Sequence, residues 1–154
     1  MKTVLVIDKE EETFEDLMTI LNDFTFSKET LVFLNKKSLK IPEINELIEE
    51  CRPDIILVGH VLRGIFRECG TCKSIHGRDV KFTKCPSCHL DGLQALKRLN
   101  SISKETKVIS ISSFAVDSNE LISKYQQIGV SHFSGRDHHR IVSCILEKCD
   151  CKKS

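Results

Sequence analysis

The stretch RPDIILVGHVLRG, residues 52–64, decides the fold. Ile55, Ile56, Leu57 and Val58 follow a proline and an acid and run straight into Gly59. A short apolar run with β-branched residues, bounded by turn formers, reads as a strand buried on both faces. Such strands belong to parallel sheets that carry helices on both sides. The segment before this strand fits that picture. Pro42 suits a helix first turn, and Ile44, Leu47, Ile48 and Cys51 recur on one helical face. Cys51 is read as a small core residue of that face.

The same alternation extends outward in both directions. TVLVID (3–8) reads as a first buried strand, and Phe14, Leu17, Met18 and Leu21 follow at helical spacing. TLVFL (30–34) is a second strand. Beyond the opening stretch, Leu93, Leu96 and Leu99 mark a helix, and KVISIS (107–112) is a fourth strand. Leu121, Ile122 and Tyr125 mark a helix that stops near Gly129, a suitable C′ residue. SHF (131–133) is a short fifth strand, and Ile141, Val142, Ile145 and Leu146 form the last helix. Five βα units predict an α/β fold, a flavodoxin-like (βα)5 doubly wound parallel sheet. Functional groups in such sheets gather at the C-terminal ends of the strands. Here those ends are Asp8, Gly59, Ser112 and the residues after Phe133.

Composition narrows the function classes. A 40% apolar and 29% charged chain of 154 residues is that of a soluble globular domain. The net charge of +1 gives no field that would attract nucleic acid or a membrane surface. No apolar run approaches the length of a membrane span, and the N-terminus lacks the pattern of a secretory signal. A cytoplasmic location is expected.

At the four strand ends the sequence resembles the receiver domain of two-component response regulators (CheY-like). VLVIDKEEE is similar to the family's first strand, which ends in an acidic pair. RPDIILVGHVLRG is similar to the third strand, which ends in the phospho-accepting aspartate. LDGLQALKRL resembles the Asp-Gly start of the next helix, VISISS the fourth strand, and GVSHFSGRD the fifth. The resemblance covers nearly all of the chain except residues 65–90.

What the resemblance implies for the site is loss of the family chemistry. Gly59 stands where the phosphorylated carboxylate would be, and Lys9 replaces the second acid beside Asp8. Ser112 keeps the hydroxyl of the switch position, and Phe133 the aromatic that couples the site to the signalling face. Arg136 keeps the charge of the family lysine, while Asp137 replaces its proline. Magnesium is not expected, because it needs hard oxygen ligands and most of them are gone. Asp8 is read as a leftover acid paired with Lys9 or Arg136, and His60 as a loop histidine without function.

Residues 65–90 are extra relative to the family and contain CGTCKSIHGRDVKFTKCPSCH (69–89). With few large apolar residues, this segment cannot build a core of its own. Cys69, Cys72, Cys85 and Cys88 have the spacing C-x2-C-x12-C-x2-C, which suits two knuckles around one Zn²⁺. Metal binding would supply the folding energy. His76 and His89 are alternate ligands. CPSCH (85–89) is also the attachment motif of c-type haem, which makes haem c the alternative cofactor. Phe66 and Phe82 are the only aromatics there for bases to stack on, so nucleic acid is not an expected partner. Cys144, Cys149 and Cys151 are read as free thiols of a frayed tail.

Together these readings give a discontinuous receiver-like domain, residues 1–64 and 91–154, with an inserted four-cysteine knuckle, residues 65–90. The expected function is that of a non-phosphorylatable pseudo-receiver, not an enzyme. It would bind protein partners in signalling, without membrane contact, as a monomer or homodimer. No output domain is expected, since the last helix ends a few residues before the terminus. The alternative class is a redox or metal sensor acting through the four cysteines.

Overall fold

A computed structural model of the chain describes residues 3–8, 15–17, 19, 31–34, 41–60, 62, 91–112 and 118–145. Five strands run in order β1 (Val4–Ile7), β2 (Leu31–Leu34), β3 (Ile55–Val58), β4 (Lys107–Ser110) and β5 (His132–Phe133). The helices are α1 (Ile41–Cys51), α2 (Gly92–Arg98), α3 (Asn119–Gln127) and α4 (His138–Ile145). Residues 15–17 and 19 are also helical, as the Phe14–Leu21 spacing predicts.

The strands form one sheet in the order β2-β1-β3-β4-β5, and every adjacent pair is parallel. Val4 pairs with both Leu31 and Ile55, so the strands are level and their C-terminal ends form one edge. Backbone bonds carry the ladder one step past the strands. Gly59 N–H donates to the Ile7 carbonyl at 2.9 Å, and Ser134 N–H to the Ser110 carbonyl at 3.0 Å. Asp8, Gly59, Ser112 and Ser134 thereby meet at that edge.

Period-2 alternation along β1 and β3 splits the core into two layers. Leu5, Ile7, Ile56 and Val58 face Ile44 and Ile48 of α1, Leu93 and Leu96 of α2, and Ile122 and Tyr125 of α3. Val4, Val6, Ile55 and Leu57 face Leu17 and the Ile141, Val142 and Ile145 of α4. Both faces are covered, so the strands need no polar side and read as continuous apolar runs. Each side chain so buried is worth about 1.5–3 kcal/mol, enough to outweigh the low helix propensity of the β-branched residues in α1.

The helix ends explain why the chain turns where it does. Asp91 caps α2, its Oδ1 accepting from Gln94 N–H at 2.8 Å. Ser118 caps α3. At the other end of α3, Gly129 takes φ 97° while its N–H and that of Val130 bond back to Gln126 and Tyr125 carbonyls. This is a Schellman stop, and it needs glycine at that φ.

Two cysteine readings change. Cys51 is half-buried and not a core residue, because it is the last residue of α1, beyond Ile44 and Ile48. Burial still pushes its thiol up. Cys144 is not part of a free-thiol tail. It lies one turn from Ile141 on the inner face of α4, fully buried, with its sulfur in a disulfide whose partner is outside the described residues. Cys149 and Cys151 also fall outside them. Among the described residues, no helix is long and apolar enough to cross a membrane.

Candidate functional site

The C-terminal edge of the sheet holds one buried ion pair. Asp8 is fully buried at the end of β1. Arg136 reaches it from the turn after β5, with Nη1 donating to Oδ2 at 2.6 Å and Nη2 to Oδ1 at 3.2 Å. The planar guanidinium matches the carboxylate fork, the strongest side-chain geometry for such a pair. The turn that delivers Arg136 is built locally. Gly135 adopts φ 64°, a left-handed conformation that a side chain disfavours. Asp137 then caps α4, its Oδ1 accepting from Arg140 N–H at 3.2 Å.

Gly59 lies beneath this pair. A Cβ built on it would overlap Asp8 Oδ1 and come within 3.6 Å of Arg136 Nη2. With Asp8 clasped by Arg136, the end of β3 has room for hydrogen only. Ser112 is buried beyond β4, and Phe133 is fully buried in β5. The Ser110 hydroxyl is buried with no hydrogen-bond partner among the described residues. Lys9 lies outside the described residues.

Among the described residues, the donor set at this edge does not fit magnesium. That cation takes six near-octahedral oxygen ligands, usually including carboxylates. The single carboxylate placed here already spends both oxygens on a cation, and Gly59 supplies none. Nor is there a side chain at position 59 to form an acyl phosphate. What the arrangement does is tie the β5–α4 turn to β1.

A second cluster adjoins the first, and sequence reading missed it. His60 is more than a loop residue: its Nδ1 lies 2.8 Å from Tyr125 Oη. Its ring meets the Tyr125 ring edge to face at 5.9 Å. Tyr125 is fully buried and also packs edge to face on Phe133 at 6.4 Å. Burial, aided by the charge of Asp91, pushes the Tyr125 hydroxyl far above its ordinary value, so it stays protonated. The chain closes on itself beside this cluster, with Gly92 N–H donating to the His60 carbonyl at 2.7 Å. The available signal was a lone tyrosine on an apolar helical face, whose hydroxyl must find a partner when buried.

Cys69, Cys72, Cys85, Cys88, His76 and His89 lie outside the described residues, as does the whole of 65–90. Among the described residues, no group of three or more potential ligands could hold a metal. A cavity of about 610 Å³ opens at the opposite end of the sheet, lined by Arg52, Asp54, Ser101 and Glu105 among others. Several of its polar groups serve the chain itself, such as Asp54 accepting from Thr3 N–H and Thr106 donating to the Pro53 carbonyl.

Comparison with known proteins agrees with the topology. No family model and no curated protein matches the sequence. Solved structures do match. The chemotaxis protein CheY4 of Vibrio cholerae is 12% identical, with a TM-score of 0.61 over 97% of this chain and 99% of that one. The receiver domain of the Francisella response regulator 1452 is 20% identical, TM-score 0.59, over 96% and 98%. The signal receiver domain of the response regulator NarL from Mycobacterium tuberculosis is 19% identical, TM-score 0.58, over 95% and 94%. The chain has the CheY-like receiver fold.

Proposed function

We propose that this receiver-fold chain is a pseudo-receiver: a signalling module that binds protein partners and is not switched by phosphorylation. The observation that carries the reading is the Asp8–Arg136 clasp over Gly59. A receiver that works by phosphoryl transfer needs a free carboxylate pair, a metal and an acceptor. Here a permanent guanidinium sits against Asp8, and the acceptor position is glycine. The clasp supports a domain held in one state, with the β5–α4 turn fixed.

In this reading the inserted segment is a metal-held interaction element. Cys69, Cys72, Cys85 and Cys88 hold a structural Zn²⁺, with His76 or His89 as alternates, because C-x2-C pairs at this spacing suit a closed tetrahedral shell. Partners dock on the knuckle or on the surface formed by α3, β5 and α4.

Two experiments test the two halves. Acetyl phosphate or beryllofluoride with magnesium is expected to leave the amide spectrum and intact mass unchanged. An adduct lost in Asp8→Asn would overturn the pseudo-receiver reading. Elemental analysis beside a visible spectrum is expected to give about one zinc per chain and no Soret band. Covalent haem would replace the knuckle reading with a redox one.

A further inference from the structure

The cavity of about 610 Å³ at the N-terminal end of the sheet lies between two walls. One is the end of α1 and the step into β3, with Ile48, Glu49, Arg52, Pro53 and Asp54. The other is the link from α2 to β4, with Ser101, Glu105 and Thr106. Hydrogen bonds staple the walls together. Asn45 Oδ1 of α1 accepts from the Asn100 amide, the Ser101 amide and the Ser101 hydroxyl, the last at 2.6 Å. Thr106 Oγ1 donates to the Pro53 carbonyl at 3.2 Å, and Lys107 N–H to the Asp54 carbonyl at 2.9 Å. The cavity is therefore preformed, and its volume falls in the range of small-molecule sites, about 300–1,000 Å³.

Its chemistry is one-sided. Ser101 and Thr106 spend their only hydroxyl protons on Asn45 and Pro53, so both can only accept from a ligand. Glu49, Asp54 and Glu105 add three carboxylates, and Arg52 is the one cation lining the cavity. Among the described residues, none of these four side chains is held in an ion pair. The last turn of α1 carries Glu49 and Glu50 and no base, although a helix C-terminus is the negative end of its dipole and favours cations. Ile48 and Pro53, both buried, supply apolar surface. The carboxylates do not converge as a metal site: among the described residues, no group of three or more potential ligands could hold an ion.

We infer that this cavity binds a linear polyamine, an alkyl chain with an ammonium group at each end. Ammonium groups donate and never accept, which matches walls that offer acceptors. One end pairs with Glu49 and Asp54, and the other with Glu105 on the facing wall. The methylene stem covers Ile48 and Pro53. Separated charges on one flexible chain suit carboxylates that do not meet at a point, where a single metal ion does not. A ligand so placed ties α1 to the α2–β4 link and stabilises the fold by mass action. The site is at the far end of the sheet from the Asp8–Arg136 pair and is independent of it.

The test titrates the ¹⁵N-labelled full chain with spermidine, n-butylamine, magnesium and a capped dilysine peptide, following amide shifts and Tm. Three variants each remove one exposed acid: Glu49→Gln and Glu105→Gln in the cavity, and Glu120→Gln on α3 as the charge control. Spermidine is expected to give saturable shifts at the amides of 48–52, 54 and 101–106, and to raise Tm. Glu49→Gln and Glu105→Gln are each expected to weaken it by about three- to fivefold, the worth of one exposed ion pair. Glu120→Gln is expected to leave it unchanged. Spermidine that leaves those amides still overturns the inference. So does an equal loss in Glu120→Gln, which would mean adsorption by net charge, or magnesium giving the same shifts at the same concentration. Butylamine binding as tightly as spermidine would overturn the two-ended site. A dilysine peptide binding more tightly would replace the free polyamine with a partner's lysine side chains.

Discussion

Arg136 and Asp8, 128 residues apart in sequence, meet in a two-bond ion pair in which the acid is fully buried and the base partly exposed. The pair joins the first strand to the last turn, so it closes the sheet edge like a brace. Taking one partner from a buried pair leaves an uncompensated charge and costs about 3–5 kcal/mol. Arg136→Ala is expected at the lower end, about 3 kcal/mol, in urea unfolding, because water reaches the guanidinium side. Adding Asp8→Asn should return more than half of that loss. A double variant no more stable than the single would mean that packing of the arginine, and not its charge, holds the edge.

Gly59 and Gly92 are predicted to resist alanine to different degrees. At Gly59 the obstacle is a side-chain oxygen, which can shift if the clasp loosens. At Gly92 it is the Gly59 backbone carbonyl, which cannot. Overpacking costs about 1–3 kcal/mol. Thermal unfolding should place Gly59→Ala near the low end and Gly92→Ala near or above the high end.

Tyr125 gives the fold an alkaline limit. Its folded hydroxyl is raised above the ordinary value of 10.0, chiefly by burial. A group raised on folding contributes stability that is fully present below its unfolded value and is lost as pH rises toward the folded one. Stability should therefore fall above about pH 10, by up to about 1.4 kcal/mol per pH unit. Tyr125→Phe should flatten that part of the curve. Because the chain has one tyrosine and no tryptophan, tyrosinate absorbance follows this group alone. Ionisation at the ordinary value in the folded chain would contradict the buried placement.

Asp137 is predicted to act as a cap. Asp137→Ala should cost about 1 kcal/mol and speed hydrogen exchange at the Arg140 and Ile141 amides. Asp137→Asn should keep most of the stability, since an amide oxygen still accepts. Equal losses in the two variants would point to the charge and not the hydrogen bond.

Much of the fold was legible in the sequence because β1 and β3 are buried on both faces. Such strands are short apolar runs, and VLVI and IILV stand out against their flanks. Asp8, Gly59, Ser112 and Phe133 were found because strand ends in this fold converge. Arg136 was one of the two partners read for Asp8, whereas Asp137 was seen only as a replacement for a family proline. The two-bond geometry of the clasp and the capping of α4 by Asp137 depend on the left-handed turn at Gly135, which no periodicity announces. His60 and Tyr125 lie 65 residues apart. Their contact depends on where the sheet places α3, so local pattern could not pair them. Cys144 was grouped with Cys149 and Cys151 near the C-terminus, although its three-residue spacing from Ile141 already put it on the apolar stripe.

The short distance between the His60 carbonyl and the Gly92 amide makes the host indifferent to the length of what it carries. Once two chain ends are held together, doubling the intervening loop adds only about 0.6 kcal/mol of closure entropy. A larger cargo could replace residues 65–90 without redrawing the sheet, because the buried Leu62 stays with the domain core. The His60–Gly92 closure is thus a grafting point, where this scaffold can exchange one attachment for another at little cost to its own folding.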